Sequence, residues 1–370
     1  MRQKNQKPHN PNYQLITAFT IILIFGLIML ASASQIIGMD KFQDSYYYLK
    51  HQLFFSILPG LALLIIVARI NYKTWEKIAL PIFIFSIILL ILVFIPQLSY
   101  GHGGANRWLN TGLFSIQPSE IAKLGFIIFL AALFKQKKED IQNFHYTFLP
   151  FLMYLGIITI LIALEPDIGT LSVIIITALA IYWVANAKFI HIISLILIGL
   201  LIFFVLIKAA PYRMARIATF INPEYDTQGI SYQINQSTLA VGAGGWFGQG
   251  LLQSKQKYQY LPEAAGDSIF AVIAEELGFI FTSLFVLLYI CFIIIMFQIA
   301  RKSFDGFGKL TAVGIAVWLA YQGLVNMGAM VKIMPLTGLP LPFISYGGSA
   351  MIVSMIAIGI LINISKYTKV

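Results

Sequence analysis

The chain is 370 residues long, 59% hydrophobic and only 11% charged, with 25 Lys and Arg against 15 Asp and Glu for a formal net charge of +10. A soluble domain carries about 25% charged residues, so the composition excludes an ordinary water-soluble globule and marks a polytopic membrane protein. The single cysteine, Cys291, excludes a disulfide framework and a cysteine-based metal site. In a membrane protein the basic excess reads as cytoplasmic loop bias rather than as a nucleic-acid surface.

A polar tail, residues 1–12, leads into a first apolar run too long for the h-region of a signal peptide. Ten apolar segments long enough, or nearly so, to cross a ~30 Å hydrocarbon core follow in order. They lie at 13–34, 49–68, 76–96, 118–134, 146–164, 169–186, 189–208, 267–299, 310–331 and 344–364. The expected fold class is an all-α polytopic integral membrane protein of ten transmembrane helices, one membrane domain over 13–366. Asn186, Ala187 and Lys188 alone separate segments six and seven, which predicts a tight helical hairpin. With the N-terminus inside, fifteen of the 25 basic residues fall in cytoplasmic stretches, nine in outer ones, and Lys123 within a span. The positive-inside rule then puts the tails 1–12 and 367–370 in the cytoplasm. The two large loops, 97–117 and 209–266 (the latter between helices 7 and 8), face outward. A loop of the second one's length is usually functional rather than connective.

Several catalytic signatures are missing. The cluster Gly242, Gly244, Gly245, Gly248 and Gly250 does not fit the dinucleotide-binding G-x-G-x-x-G pattern, because Phe247 holds the third glycine position and no strand precedes it. There is no P-loop, which argues against ATP-driven transport by this chain. His9, His51, His102, His145 and His191 are scattered without metal-ligand spacing.

What remains is a set of charges in or beside the membrane. A carboxylate costs roughly 2.5–3.5 kcal/mol or more at a bilayer centre, yet Asp267, Glu275 and Glu276 head one apolar segment. Asp267 reads either as a helix N-terminal group held by the dipole or as a functional carboxylate beside a basic, aromatic loop (Lys255, Lys257, Tyr258, Tyr260). Glu275 and Glu276 read as partners of a buried base or backbone that position the helix. Arg213 and Arg216, three apart, offer forked donors suited to a pyrophosphate, or form a snorkelling interfacial pair. Glu120 and Lys123, behind Pro118, suit helix-start chemistry with Glu120 at N3 or an i,i+3 ion pair. Glu165-Pro166-Asp167 reads as a turn.

A series of stretches in one order then carries a resemblance. These are Ala105-Asn106-Arg107-Trp108-Leu109, Gln117-Pro118-Ser119-Glu120-Ile121-Ala122-Lys123 and Glu165-Pro166-Asp167-Ile168-Gly169-Thr170. Next come Gly229 to Gln233 with Gln236-Ser237, Gly244-Gly245-Trp246-Phe247-Gly248 and Tyr260-Leu261-Pro262-Glu263. Ala274-Glu275-Glu276-Leu277-Gly278 and Pro340 to Ser349 complete the set. On these the region 13–366 resembles the SEDS family (shape, elongation, division and sporulation), and Gln253 to Tyr258 looks more like its FtsW branch than its RodA branch.

The resemblance implies a peptidoglycan glycosyltransferase that polymerises lipid II, an undecaprenyl-pyrophosphate-linked disaccharide peptide, at the outer face of the bacterial cytoplasmic membrane during division or elongation. It implies that Asp267 is the catalytic carboxylate, set here in Ala265-Gly266-Asp267-Ser268 where a His-Thr-Asp-Phe stretch is commoner. It makes Arg107, Glu120, Lys123, Arg213, Arg216, Gln233 and Ser345 the candidate contacts to pyrophosphate and sugars, with a divalent cation (Mg2+ or Mn2+) an open addition. Implied partners are a class B penicillin-binding protein transpeptidase, other divisome or elongasome membrane proteins and membrane lipid. The expected chemistry is inverting, with Asp267 as general base toward the acceptor 4-hydroxyl. Two rivals stand beside it. A lipid II flippase needs a polar path, for which no broken helix pair or inverted repeat is visible in the sequence. A non-catalytic scaffold of the division complex would tolerate loss of Asp267.

Overall fold

The computed structural model describes residues 8–102, 105–110, 115–208, 214, 230–258 and 260–368. Helices α1 (Tyr13–Phe42), α2 (Tyr47–Arg69), α3 (Lys73–Lys77) and α4 (Ala79–Leu92) come first. Strands β1 (Ser99–His102), β2 (Ala105–Asn110) and β3 (Ser115–Ile116) follow. Then come α5 (Pro118–Gln136), α6 (Phe144–Leu164), α7 (Ile168–Val184) and α8 (Phe189–Lys208). The chain closes with α9 (Ile230–Ala243), α10 (Ile269–Lys302), α11 (Gly306–Met330) and α12 (Gly348–Ser365). Among the described residues α1, α2, α6, α10, α11 and α12 are long and apolar enough to cross a membrane. The molecule is a mostly helical, multi-pass membrane protein.

The expected all-α class needs a correction. Between α4 and α5 the chain forms an antiparallel sheet in the order β1-β2-β3, with Ser99 opposite Leu109 and Leu109 opposite Ile116. This stretch lacks a helical apolar stripe, and its backbone groups are satisfied instead by a ladder on which Trp108 and Leu109 favour extended chain.

Helix starts follow side-chain chemistry. Asn12 caps α1 by accepting from the Leu15 amide at 2.9 Å, Asp167 caps α7 through Thr170 at 3.0 Å, and Asp305 caps α11 through Gly308 at 3.3 Å. Pro118 opens α5 and leaves Glu120 at N3, as the sequence predicts.

The centre of the molecule is α11, packed on α5, α7 and α10. Gly314 lets Ile127 of α5 and Ile181 of α7 close onto it, and Gly323 receives the Tyr289 ring, whose hydroxyl donates to the Leu319 carbonyl at 2.7 Å. Around this core α12 packs on α2, and α1 on α10. The outer faces of α8 and α10 present exposed leucines such as Leu200, Leu201 and Leu287, the surface a bilayer would cover.

One spanning element is broken. Gly278 in α10 sits at φ 72° and ψ −176°, outside the helical region. In a continuous helix the amides of Phe279 and Ile280 would bond the carbonyls of Glu275 and Glu276. Here they donate to the carbonyls of Gly245 (2.8 Å) and Trp246 (3.2 Å), while the Glu275 and Glu276 carbonyls accept from the amides of Gln249 (2.9 Å) and Gly250 (3.0 Å). At 1.5 Å per residue the stretch 279–302 is about 36 Å long, enough by itself for a ~30 Å core. The apolar segment 267–299 expected from the sequence is therefore two helical pieces joined at Gly278. The glutamates ride on a short helical piece ahead of the spanning one.

Candidate functional site

Residues 261–268 form consecutive turns that deliver the chain to α10, whose N-cap is Ser268. Asp267 lies one residue ahead of the N-cap position and is half-buried; Ser268 holds that position without a side-chain capping bond. The turn is pinned from four directions. Within it, the amides of Gly266 and Ser268 donate to the Glu263 carbonyl at 2.9 and 3.1 Å. From α11, the Asn326 side-chain amide donates to the backbone carbonyls of Asp267 at 2.8 Å and Leu339 at 2.7 Å. From the segment before α12, the Ser345 hydroxyl donates to the Gly266 carbonyl at 2.8 Å, and the Tyr346 amide to the Ala265 carbonyl at 2.8 Å. From α9, the Gln233 amide donates to the Ser268 hydroxyl at 3.0 Å. Net stabilisation of about 1 kcal/mol per bond makes this a rigid mount. Two of the sequence candidates, Gln233 and Ser345, are thus brought beside Asp267, where they bond the Ser268 hydroxyl and the Gly266 carbonyl.

The Asp267 carboxylate faces Gly338, where a Cβ would come within 3.4 Å of Oδ2. That glycine adopts φ 76°. Its neighbours Thr337 and Leu339 lie against Gly169 in the first turn of α7. Asp167 at the head of the same helix holds Thr170 and accepts from the Gln117 amide at 3.3 Å. On the same rim the Arg107 guanidinium, carried by β2, donates to the carbonyls of Glu165 at 2.9 Å and Pro166 at 2.6 Å. A cation there complements the C-terminal dipole of α6. The Glu165 carboxyl is 1% exposed, and neither of its oxygens has a hydrogen-bond partner among the described residues. Burial, reinforced by the Asp167 charge and opposed by Arg107, pushes its pKa up to about 8.

Glu275 and Glu276 organise the approach to Asp267. Glu275 accepts the Ser254 hydroxyl and the backbone amides of Lys255 (2.9 Å) and Gln256 (3.4 Å). Glu276 pairs with Lys257 at 2.8 Å and accepts the Ser32 hydroxyl of α1 at 2.6 Å. Both acids are 1% exposed, so their negative charge is spent on the basic loop that precedes the Asp267 turn.

Glu120 and Lys123 form an ion pair at 2.7 Å, both buried, and the Lys123 ammonium also donates to Gln322 Oε1 at 2.9 Å and lies 5.1 Å from the Trp318 ring centroid. Gln322 in turn accepts from the Trp318 indole (2.8 Å) and donates to the Pro340 carbonyl (2.9 Å). This set links α5 and α11 beneath the 338–346 segment. Arg213 and Arg216 lie outside the described residues. No three His, Cys, Asp or Glu side chains gather in a cation-holding group among the described residues.

Sequence reasoning missed Asn326 and Gln322. The signal was available, since two amides four apart in an otherwise apolar segment share one helical face. It also passed over His51, whose ring nitrogen meets the Tyr346 hydroxyl at 2.9 Å beside the same turn.

A family model described as "Cell cycle protein", FTSW_RODA_SPOVE, matches residues 13–370. Stage V sporulation protein E of Bacillus subtilis (strain 168) is 39% identical over 363 residues, covering 98% of this chain and 99% of that one. A "probable peptidoglycan glycosyltransferase FtsW" of Trichlorobacter lovleyi is 38% identical, covering 96% and 94%. Among solved structures, one of a peptidoglycan synthase complex, titled for its coordination of polymerization and crosslinking, aligns at TM-score 0.79 and 23% identity over 97% of this chain and 99% of the matched chain. The rod shape determining protein RodA of Thermus thermophilus aligns at TM-score 0.70 and 24% identity over 96% of each. The structural matches show the shared fold.

Proposed function

The chain belongs to the FtsW/RodA/SpoVE family of cell cycle proteins, and on that premise we propose that it is a peptidoglycan glycosyltransferase that polymerises lipid II into glycan strands. Relatives covering nearly the whole chain carry that activity in their names, and the branch-like residues 253–258 agree with an FtsW-type member. In this reading the protein crosses the cytoplasmic membrane ten times with both termini inside, and the Asp267 turn faces outward.

The observation that carries the reading is the mount of Asp267: a half-buried residue at a helix start, on a turn held by Asn326, Ser345, Tyr346 and Gln233. A base so fixed loses little entropy when it meets its proton, and a positioned general base contributes about 10²–10⁴-fold. Asp267 takes the proton from the 4-hydroxyl of the acceptor N-acetylglucosamine as that oxygen forms a bond to the anomeric carbon of the donor N-acetylmuramic acid. The bond from that carbon to undecaprenyl pyrophosphate breaks, and inversion follows from a single displacement. The leaving pyrophosphate is met by Arg213 and Arg216. Arg107 holds the 165–166 turn, and the buried Glu120–Lys123 pair supports the floor of the site from within rather than touching substrate.

A transpeptidase of the class B penicillin-binding type is the expected partner, in keeping with a structural relative titled for coordinated polymerization and crosslinking. The flippase alternative draws on the broken α10. However, the four backbone groups freed at Gly278 are all taken up by Gly245, Trp246, Gln249 and Gly250, which supports a sealed joint better than an open polar path. The test is polymerisation of purified lipid II in detergent by wild type and Asp267→Asn, with moenomycin present to silence a contaminating polymerase of the other kind. Glycan chains from wild type and none from the variant are expected; chains from both would remove Asp267 as the base.

A further inference from the structure

The loop that plugs the broken helix, residues 245–252, is held as firmly as a core element and yet turns its largest side chains outward. Trp246 is 67% exposed and Phe247 76%, with Leu251 and Leu252 near half. Flexibility does not explain this, because four backbone hydrogen bonds tie the loop to the residues flanking Gly278. Gly248, at φ 84°, lies so close that a side chain there would collide with the Glu276 carbonyl. In water such a cluster would have no reason to stay outside the core, since each buried aromatic returns roughly 1.5–3 kcal/mol.

Three further observations specify what covers it. The Trp246 ring packs edge-on against Phe279 at 5.3 Å. Phe279 begins the outward stripe of α10, so the loop continues an apolar surface that already faces lipid. The chain from Thr227 to Ser254 contains no Asp, Glu, Lys, Arg or His, whereas a protein-binding rim or a solvated loop is normally charged. Exposed Tyr258 and Tyr260 follow at once, and tyrosines and tryptophans are the residues that collect at the headgroup level.

We propose that residues 245–252 are a membrane-inserting wedge, with Trp246, Phe247, Leu251 and Leu252 immersed among phospholipid acyl chains in the leaflet that borders Asp267. The wedge fixes the depth of the Asp267 turn, because the same short helical piece, 269–277, carries the wedge at its far end and Asp267 just ahead of its near end. Complete pairing of the backbone at the break fits this depth, where an unsatisfied amide or carbonyl is costly. The proposal does not depend on the enzymatic reading.

The single cysteine makes the test direct. In a Cys291→Ser background, spin labels are placed at Phe247→Cys, at Leu287→Cys on the lipid-facing side of α10, and at Lys138→Cys in an exposed loop. The full-length protein is reconstituted in liposomes of phosphatidylethanolamine and phosphatidylglycerol. Collision rates with oxygen and with a water-soluble nickel chelate are then compared. The label at 247 should show an oxygen-to-nickel ratio close to that at 287, placing it ~5–10 Å into the headgroup and acyl boundary. A ratio equal to that at 138 would put the loop in water, and low collision with both reagents would mean that protein covers it; either result overturns the wedge. As a check without labels, wild type and Trp246→Phe are compared in lipids brominated near the headgroup. The fluorescence lost with Trp246 should be the quenched fraction, and an unquenched Trp246 contribution likewise overturns the proposal.

Discussion

Replacing Asn326 by Ala tests whether the mount of Asp267 matters for catalysis. The side chain is 2% exposed and spends both amide hydrogens on carbonyls, of Asp267 at 2.8 Å and Leu339 at 2.7 Å. Because both neighbours are acceptors, the amide orientation is forced. Truncation strands two carbonyls at about 1–3 kcal/mol each. It also removes Asn326 Oδ1, itself buried without a hydrogen-bond partner among the described residues, which returns about 1–3 kcal/mol. The net loss of stability should be about 1–3 kcal/mol, read as a lowered midpoint of thermal unfolding in detergent. Catalysis should suffer more, since a displacement of ~1 Å at a reacting group costs up to about 10²-fold. In lipid II polymerisation kinetics kcat should fall by about 10–100-fold with KM little changed. Asp267→Asn should lose turnover without the drop in midpoint, because the Asn326 bond is to the backbone. An Asn326→Ala protein with wild-type kcat, whatever its midpoint, would show that the mount is structural only and that the reasoning from geometry to base positioning is wrong.

The remaining predictions concern buried charge. Lys257→Met leaves Glu276 buried with Ser32 and the Ser254 amide as its side-chain partners among the described residues, and removing one member of a buried pair costs about 3–5 kcal/mol. Adding Glu276→Gln should recover most of that loss in thermal unfolding, and a double variant no better than the single would refute the pairing. Glu165 has its folded pKa raised from 4.5 to about 8, so between those values the folded state holds a proton the unfolded state has released. Stability should therefore fall as pH rises through that window and level off above it. Glu165→Gln should flatten the decline and raise the unfolding midpoint most at the alkaline end; parallel pH profiles for the two proteins would contradict it.

How far the sequence could be read depended on whether the cause of a feature was local. Pro118 with Glu120 and Lys123 foretold both the helix start and the i,i+3 ion pair, because every participant lies within one turn. The Asp167 cap and the tight connection between α7 and α8 were legible for the same reason. Gln322 and Asn326 escaped because an amide in an apolar segment looks like an isolated core polar group until its acceptors, on segments 338–346 and 261–268, are known. The sheet ahead of α5 escaped because its strands are short, two to six residues each. The break at Gly278 was hidden most thoroughly: a lone glycine in an apolar helix is usually tolerated, and the carbonyls and amides that replace its lost bonds come from residues 245–250.

That hidden break changes the energetics of the three acids that begin the last third of the chain. As one continuous apolar helix, 267–299 would have placed Glu275 and Glu276 at a depth where each carboxylate costs several kcal/mol. Broken at Gly278, the helix needs only its later part to span, so the short piece that carries the acids need not lie at the bilayer centre. Each acid then has its own reason. Glu276 neutralises Lys257 and ties the loop to α1 through Ser32. Glu275 collects the amides of Lys255 and Gln256, so the loop is folded onto the short helix rather than left to solvent. Asp267 is the one of the three that is not fully buried, its carboxylate facing the Gly338 turn. Two acids are consumed in building a rigid platform, and the third stands at its edge, as the proposed role of Asp267 requires. This division of labour follows from the break, because an unbroken α10 would bury all three alike.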